Sequence, residues 1–252
     1  MKTIDLNCDM GEIPEAIADG TQESLMPSLT SVNIACGGHA GNEQTMRTTI
    51  QQALRWKLAI GGHPGYPDRA NFGRFELKMS PQAVADSVFE QLRTLAKIAE
   101  SCNAAIGHVK PHGALYNQAV RDLELARAIA DGVARWNNRV VLMGLAGSAM
   151  LEVFEKTGFA VAEEAFADRR YEPDGSLRSR KFEDSLLRNP VDAARQALRI
   201  VEQNSVIASD GTEVALQAQT ICIHGDTPGA PQIAAAVASA LKSAGVALRP
   251  LR

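Results

Sequence analysis

Short apolar runs alternate with longer segments of helical period, and this alternation limits the possible folds more than any other feature of the chain. The runs are residues 3–8, 32–36, 58–61, 105–110, 140–145, 160–163 and 220–224. Between them, apolar residues recur at three- and four-residue spacing, as in Val84, Val88, Leu92 and Leu95. Repeated strand-helix units require a parallel sheet covered by helices. About seven such units in 252 residues fit a closed or nearly closed barrel better than two open sheets, so we predict one α/β barrel domain over residues 1–252.

Capping signals place several helix boundaries. Ser80-Pro81 and Asn189-Pro190 each combine an N-cap residue with proline at the first helical position. Gly245 follows the last helical segment and is typical of a left-handed C-cap. We therefore expect long helices to begin near residues 81 and 190 and the last helix to stop before residue 245.

Two stretches interrupt the alternation. Residues 168–180 contain a Pro-Asp-Gly turn signal and four arginines, which predicts a long ordered, lid-like loop near residues 168–183. Residues 206–208 and 212–216 flank an Asp-Gly pair and predict a small hairpin before the last barrel strand.

Composition narrows the classes of function. The formal net charge is -3 and the pI is about 6.0, so the chain has no excess of positive charge to attract polyanions. Neither nucleic acid nor an anionic membrane is therefore an expected partner. The N-terminal segment carries acids where a signal peptide needs an apolar run, which favours a cytoplasmic protein. The four cysteines form no C-x-x-C pair, so we expect reduced thiols.

Polar side chains follow the strands one after another. The series is Asp5, Asn7, Asp9 and Glu12; then His39; then His63, Tyr66 and Asp68; then His108, Lys110, His112 and Tyr116; then Arg169 and Arg170; then His224 and Asp226. All five histidines of the chain belong to it. Side chains alternate across a strand, so Asp5, Asn7 and Asp9 project to one side, and so do His108, Lys110 and His112, and Cys222, His224 and Asp226. We therefore expect a polar cavity inside the barrel that opens at the C-terminal ends of the strands.

Each candidate also has a structural interpretation. The glycine pairs Gly37-Gly38 and Gly61-Gly62 and the single Gly113 are consistent with tight turns or with close approach of a substrate. His108 alone fits a buried core histidine. Lys110 and His112 favour function, because a lysine inside a barrel is costly unless a carboxylate or a substrate anion meets it.

A metal site is a weaker hypothesis. Asp9, His39, His63 and His224 would suit zinc or another divalent ion, but their spacing matches no local ligand motif, and we assign no metal ligands. The chain also lacks the phosphate-loop pattern G-x-x-x-x-G-K-[ST].

Six motifs in series resemble the LamB/YcsF family of lactam-utilisation proteins. They are DLNCDMGE, NIACGGHAG, GHPGYPD with the following FGR, VKPHGALYN, EAFADRRY and IHGDTP, and they run in order from residue 4 to residue 228. The resemblance implies a distorted TIM-like barrel of the glycoside hydrolase/deacetylase type. It also implies a 5-oxoprolinase activity: opening of 5-oxo-L-proline to L-glutamate coupled to hydrolysis of ATP, with Mg, to ADP and phosphate, in a complex with two further subunits, B and C.

Roles follow for the candidate residues as hypotheses. We expect the catalytic set to be Asp9, Lys110, His112 and Asp226, and the substrate-binding set to be Asn7, His39, His63, Tyr116, Arg169, Arg170 and His224. Lys110 and the loop arginines would hold the substrate carboxylate or a phosphate, and Asp9, His112 or Asp226 would activate water. The alternatives are a metal-dependent hydrolase or deacetylase on the same barrel, and a non-catalytic lactam-binding subunit.

Overall fold

A computed structural model describes residues 2–251. The strands are β1 (Thr3–Met10), β2 (Ser31–Ala35), β3 (Ala59–His63), β4 (Ile106–Val109), β5 (Val141–Leu145), β6 (Ala160–Phe166), β7 (Ser205–Ile207), β8 (Glu213–Ala215), β9 (Thr220–Cys222) and β10 (Ala247–Leu248). The α-helices are α1 (Pro14–Ala18), α2 (Thr21–Leu25), α3 (Glu43–Arg55), α4 (Pro81–Ser101), α5 (Gly113–Ala119), α6 (Leu123–Trp136), α7 (Ala149–Lys156), α8 (Pro190–Gln203) and α9 (Ala230–Ser243).

The predicted barrel is confirmed. Strands β1 to β6 follow one another around the sheet, β9 pairs with β6, and β9 also pairs with β1, so a closed barrel of seven parallel strands results. Strand β10 pairs in parallel with the start of β1, and β7 and β8 form the predicted antiparallel hairpin outside the barrel. Within residues 2–251, no helix has the length and apolar content that crossing a membrane requires.

The helix boundaries follow the local signals. Ser80 accepts a hydrogen bond from the amide of Ala83 at the start of α4, and Asn189 accepts one from Val191 at the start of α8. Helix α9 ends at Ser243, two residues before Gly245, which has a φ of 76°.

Side chains of β1 show how the barrel is packed. Ile4, Leu6 and Cys8 are buried in the apolar layer beneath the helices, while Asp5 and Asn7 alternate with them and point inward. The Asp5 carboxylate accepts hydrogen bonds from the hydroxyl groups of Ser31 on β2, of Thr220 on β9 and of Thr30, which directly precedes β2. The interior at this level is therefore filled by polar side chains that bond to one another. A polar cavity at the C-terminal ends of the strands stays a prediction.

The loop predicted over residues 168–183 is held by several contacts. Tyr171 forms isolated bridges with Leu177 and Ala208, and its hydroxyl oxygen accepts a hydrogen bond from the amide of Phe166 at 2.8 Å. The Arg169 backbone pairs with Leu186. These contacts order the segment; that it acts as a lid stays a prediction.

Candidate active site

Lys110 lies at the centre of the C-terminal layer, one residue beyond β4. Its ammonium group is 3.0 Å from Asp9 Oδ1, 2.9 Å from Glu164 Oε1 and 3.1 Å from Cys222 Sγ. These partners come from β1, β6 and β9, and Lys110 is only 3% exposed. A lysine that crosses the barrel interior thus meets two carboxylates, as the cost of burying its charge requires.

The charges of this group stabilise one another. Burial alone would lower the pKa of Lys110, but Asp9 and Glu164 outweigh it and hold that pKa well above its ordinary value. Burial alone would raise the pKa of Asp9, but His63 and Lys110 outweigh it and hold that pKa well below its ordinary range. Asp9 is therefore ionised at neutral pH, with 12% of its side chain exposed at the barrel mouth.

Three histidines surround Glu12, two residues beyond β1. Glu12 Oε1 is 2.9 Å from His39 Nε2, 3.2 Å from His112 Nδ1 and 3.8 Å from His63 Nε2. His63 Nε2 also lies 3.3 Å from Asp9 Oδ2, which joins this histidine cluster to the Lys110 group. His39 and His112 stack with their ring centroids 3.6 Å apart.

The environments of the histidines differ. Burial lowers the pKa of His39 to about 3, although the hydrogen bond to Glu12 opposes this shift. Burial would also lower the pKa of His63, but the adjacent Asp9 carboxylate outweighs burial and raises it. Burial alone would raise the pKa of Glu12, but its interactions with His112 and His39 outweigh burial and hold that pKa well below the usual value. Two anions, Asp9 and Glu12, thus face one group of imidazoles.

These ligand types can hold a metal ion. One atom from each of Glu12, His39, His63 and His112 lies within 4.8 Å of the others, so the four residues could bind a divalent cation. The set shares His39 and His63 with the metal hypothesis drawn from the sequence, but Glu12 and His112 replace Asp9 and His224.

A second acid-histidine pair stands apart from this cluster. His224 Nδ1 is 2.9 Å from Asp168 Oδ1, and the His224 amide donates to Asp168 Oδ2 at 3.0 Å. Burial alone would raise the pKa of Asp168, but His224 outweighs it and lowers that pKa. The His224 ring stacks on Phe166, whose own ring lies 5.3 Å from the Lys110 ammonium group.

Two arginines meet one carboxylate at the rim of the barrel mouth. Asp226 accepts from Arg74, on the segment after β3, and from Arg180 at 3.1 Å, on the loop after β6. The Arg74 guanidinium lies 4.9 Å from the centre of the Phe72 ring, and Phe72 packs edge-on against His112. We call Arg74, Arg180 and Asp226 the rim triad. One carboxylate shared by two guanidinium groups leaves one positive charge in excess beside the histidine cluster.

The structure brings together part of the predicted site. Asp9, Lys110, His39, His63 and His112 form one connected network. Asp226 and His224 belong to separate ion pairs nearby.

The other predicted binding residues lie deeper or elsewhere. Asn7 is fully buried below the network and bonds to Glu164 and Asn33, so it supports the site from beneath. Tyr116 is buried, and its hydroxyl has no hydrogen-bond partner in the part of the chain that the structure describes. Burial and then the charge of Glu164 raise its pKa well above the ordinary value. Arg169 donates to the Arg178 carbonyl at 2.7 Å and the Arg170 amide to the Ser185 carbonyl, so both are engaged with the loop. His108 is buried and bonds to Asn33, as its core interpretation predicted.

Several site residues were not assigned from the sequence. Glu164 and Asp168 lie in EEAFAD at the end of β6, and the inward parity of Glu164 was the available signal. Glu12 was noted among the acids after β1 without a role. Arg74 and Arg180 lie at the rim, although Arg169 and Arg170 were the arginines expected to bind substrate. Arg74 belongs to the FGR motif and Arg180 to the arginine-containing loop, but neither received a role of its own.

Residues 4–252 match the sequence model of the LamB/YcsF family. The chain belongs to the LamB/YcsF family. A relative from Chloroflexus aggregans, named as the A subunit of 5-oxoprolinase, is 48% identical over 252 residues, with 100% of both sequences covered. The crystal structure of a lactam utilization protein from Thermus thermophilus superposes on this LamB/YcsF protein with a TM-score of 0.92 at 41% identity, again over 100% of both chains.

A more distant structure shares the LamB/YcsF fold. The family 4 carbohydrate esterase from Streptomyces lividans matches with a TM-score of 0.54 and 8% identity, covering 100% of this chain and 93% of that chain. At that identity the likeness concerns the architecture alone, which agrees with the predicted deacetylase-like barrel.

Proposed function

We propose that this LamB/YcsF protein is the A subunit of an ATP-dependent 5-oxoprolinase. The enzyme opens 5-oxo-L-proline to L-glutamate and hydrolyses ATP, bound with Mg, to ADP and phosphate, together with two further subunits, B and C. Relatives of 48% and 46% identity are named as the A subunit of 5-oxoprolinase, which supports this substrate. The observation that carries the proposal is the ionised Asp9 at the barrel mouth, fixed between Lys110 and His63.

The chemistry explains why such a site needs ATP. A five-membered lactam is an unactivated amide, and Asp9, whose pKa is held low, is a weak base. Transfer of a phosphoryl group to the amide oxygen makes the ring carbon a stronger electrophile. Water then adds to that carbon while Asp9 accepts its proton, the C–N bond breaks to give a ring-opened acyl phosphate, and a second water releases phosphate.

Residues around Asp9 have supporting roles in this scheme. Lys110 keeps Asp9 ionised and fixes its direction, because it bridges Asp9 and Glu164 across the barrel. Arg74 and Arg180 of the rim triad present donors suited to the substrate carboxylate. The proposal assigns ATP to the partner subunits, in keeping with a sequence that has no phosphate-loop pattern.

Glutamate release from 5-oxoproline tests the proposal. We expect release only when the chain, subunits B and C, ATP and Mg are combined, and we expect Asp9→Asn to reduce kcat by at least about 100-fold without loss of folding. Release by this chain alone without ATP would instead indicate a self-sufficient hydrolase. Full activity of the complex containing Asp9→Asn would indicate a non-catalytic binding subunit.

A further inference from the structure

Two imidazole nitrogens in the histidine cluster face each other with their lone pairs. His63 Nδ1 lies 2.7 Å from the Lys110 carbonyl oxygen, and His112 Nε2 lies 2.9 Å from the Phe72 carbonyl oxygen. A carbonyl oxygen only accepts, so each of these ring nitrogens carries the hydrogen. In the neutral rings, His63 Nε2 and His112 Nδ1 are then bare acceptors, and they lie 2.9 Å apart. Two facing acceptors at this distance repel unless a cation lies between or beside them.

A third donor points at the same place. Glu12 Oε1 is 3.2 Å from His112 Nδ1 and 3.8 Å from His63 Nε2. A zinc ion with bonds of about 2.0–2.1 Å to nitrogen or oxygen holds tetrahedral ligand atoms about 3.3 Å apart. The three observed separations fall on both sides of that value. A proton can join two of these atoms, whereas a metal ion accepts all three.

Charge favours a divalent cation over a proton. Within residues 2–251, the ion pairs of Glu12 are with histidines only, and Lys110 already has both Asp9 and Glu164 as partners. A single proton on His63 would face two carboxylates, Asp9 at 3.3 Å and Glu12 at 3.8 Å from Nε2, whereas a divalent cation at this place carries two positive charges.

Backbone carbonyl groups fix the orientation of both histidine rings. Bonds from the second ring nitrogen to a backbone carbonyl are the usual support of a metal-bound histidine, and both rings have one. Phe72, whose carbonyl holds His112, has a φ of 56°, in the left-handed region that costs a bulky residue energy. The strained Phe72 backbone thus lies at the residue whose carbonyl oxygen orients the His112 ring.

We propose that Glu12, His63 and His112 form a three-ligand site for a divalent transition-metal ion such as Zn²⁺, with further coordination positions open. His39 is a positioning residue in this site. Its Nδ1 is buried and has no hydrogen-bond partner among residues 2–251, so the hydrogen belongs on Nε2, which donates to Glu12 at 2.9 Å. His39 therefore orients Glu12 instead of binding the ion, and the site stands whatever reaction the chain catalyses.

Metal content of the full-length, tag-free chain tests the site. The protein is stripped with chelator, incubated with Zn²⁺ or Co²⁺, dialysed, and measured by elemental analysis and by the visible absorption of bound Co²⁺. We expect one ion per wild-type chain and an increase in Tm on adding Zn²⁺. His63→Ala and His112→Ala should lose the ion, while His39→Gln should keep it with an affinity reduced by about 10- to 100-fold.

Matched variants separate metal loss from misfolding. His224→Gln removes a histidine outside the set and should retain one ion per chain, and Glu12→Gln, which keeps the side-chain shape, should bind at least about 10-fold more weakly. Circular dichroism checks that each variant is folded. Wild-type protein that holds no stoichiometric metal, with a proton shared by His63 and His112 in nitrogen NMR spectra, would overturn the proposal, and so would unchanged metal content in folded His63→Ala and His112→Ala.

Discussion

At the scale of single residues, Lys110 is the buried cation that compensates two carboxylates, Asp9 and Glu164. Its removal in Lys110→Met leaves Asp9 and Glu164 inside the barrel without their shared cation. Breaking one side of a buried ion pair costs about 3–5 kcal/mol, so we expect a loss of that size in the free energy of unfolding. Urea denaturation at pH 7 measures it, with the exposed Lys97→Met as control. Equal stability of the two variants would contradict the role given to Lys110.

His108 predicts a pH dependence of stability. Burial lowers its pKa from 6.5 to about 4 in the folded protein. Below pH 6.5 His108 binds a proton in the unfolded chain but stays neutral in the folded protein. The free energy of unfolding therefore falls as the pH falls from 6.5 toward 4, and the His108 contribution is constant below pH 4. His108→Gln keeps a donor for Asn33 but does not titrate. Between pH 7 and pH 5, wild type should therefore lose about 2 kcal/mol more than the variant in urea denaturation. Parallel curves for the two proteins would show that His108 is not held neutral.

At the scale of strands and helices, the packing of β3 against β4 depends on Gly61, which has no side chain and leaves room for the ring of His108. A Cβ at Gly61 would clash with the His108 ring, whereas a Cβ at Gly107 of β4 would meet no atom of the described residues within 4 Å. Gly61→Ala should therefore destabilise the barrel by about 1–3 kcal/mol, the cost of overpacking, while Gly107→Ala should be neutral or slightly stabilising. Thermal unfolding of the two variants makes the comparison. Equal Tm values would mean that His108 moves aside freely.

The elements were predictable from the sequence because each one is specified locally. Alternating parity located the inward side of β1 and β4, and Ser80 and Asn189 marked helix starts by their own capping bonds. The partners across the barrel were not predictable, because Lys110 meets Glu164 and Asp9 through a closure that no local pattern encodes. Parity showed that polar side chains point inward, but not which of them bond to one another and which face a ligand.

At the scale of the whole molecule, three distant segments meet at the rim. Arg74 follows β3, Arg180 belongs to the loop after β6, and Asp226 follows β9, so the rim triad exists only once the barrel has closed. Burial alone would raise the pKa of Asp226, but Arg180, His224 and Arg74 outweigh it and lower that pKa. Asp226 is thus held as an anion between the two guanidinium groups.

The rim triad predicts how the proposed enzyme distinguishes lactams. If Arg74 and Arg180 exchange Asp226 for the carboxylate of 5-oxoproline, Arg74→Gln and Arg180→Gln should each raise KM for 5-oxoproline by about 10- to 100-fold, since a charge-assisted hydrogen bond contributes about 1.5–3 kcal/mol. The KM for 2-pyrrolidinone, which lacks the carboxylate, should be unchanged because no partner is lost. Steady-state assays of the assembled complex give both values, with the exposed Arg188→Gln as control. Equal losses for the two lactams would mean that the arginines act by holding the loop over the barrel, while activity absent in every protein, wild type included, would refute the proposed reaction itself.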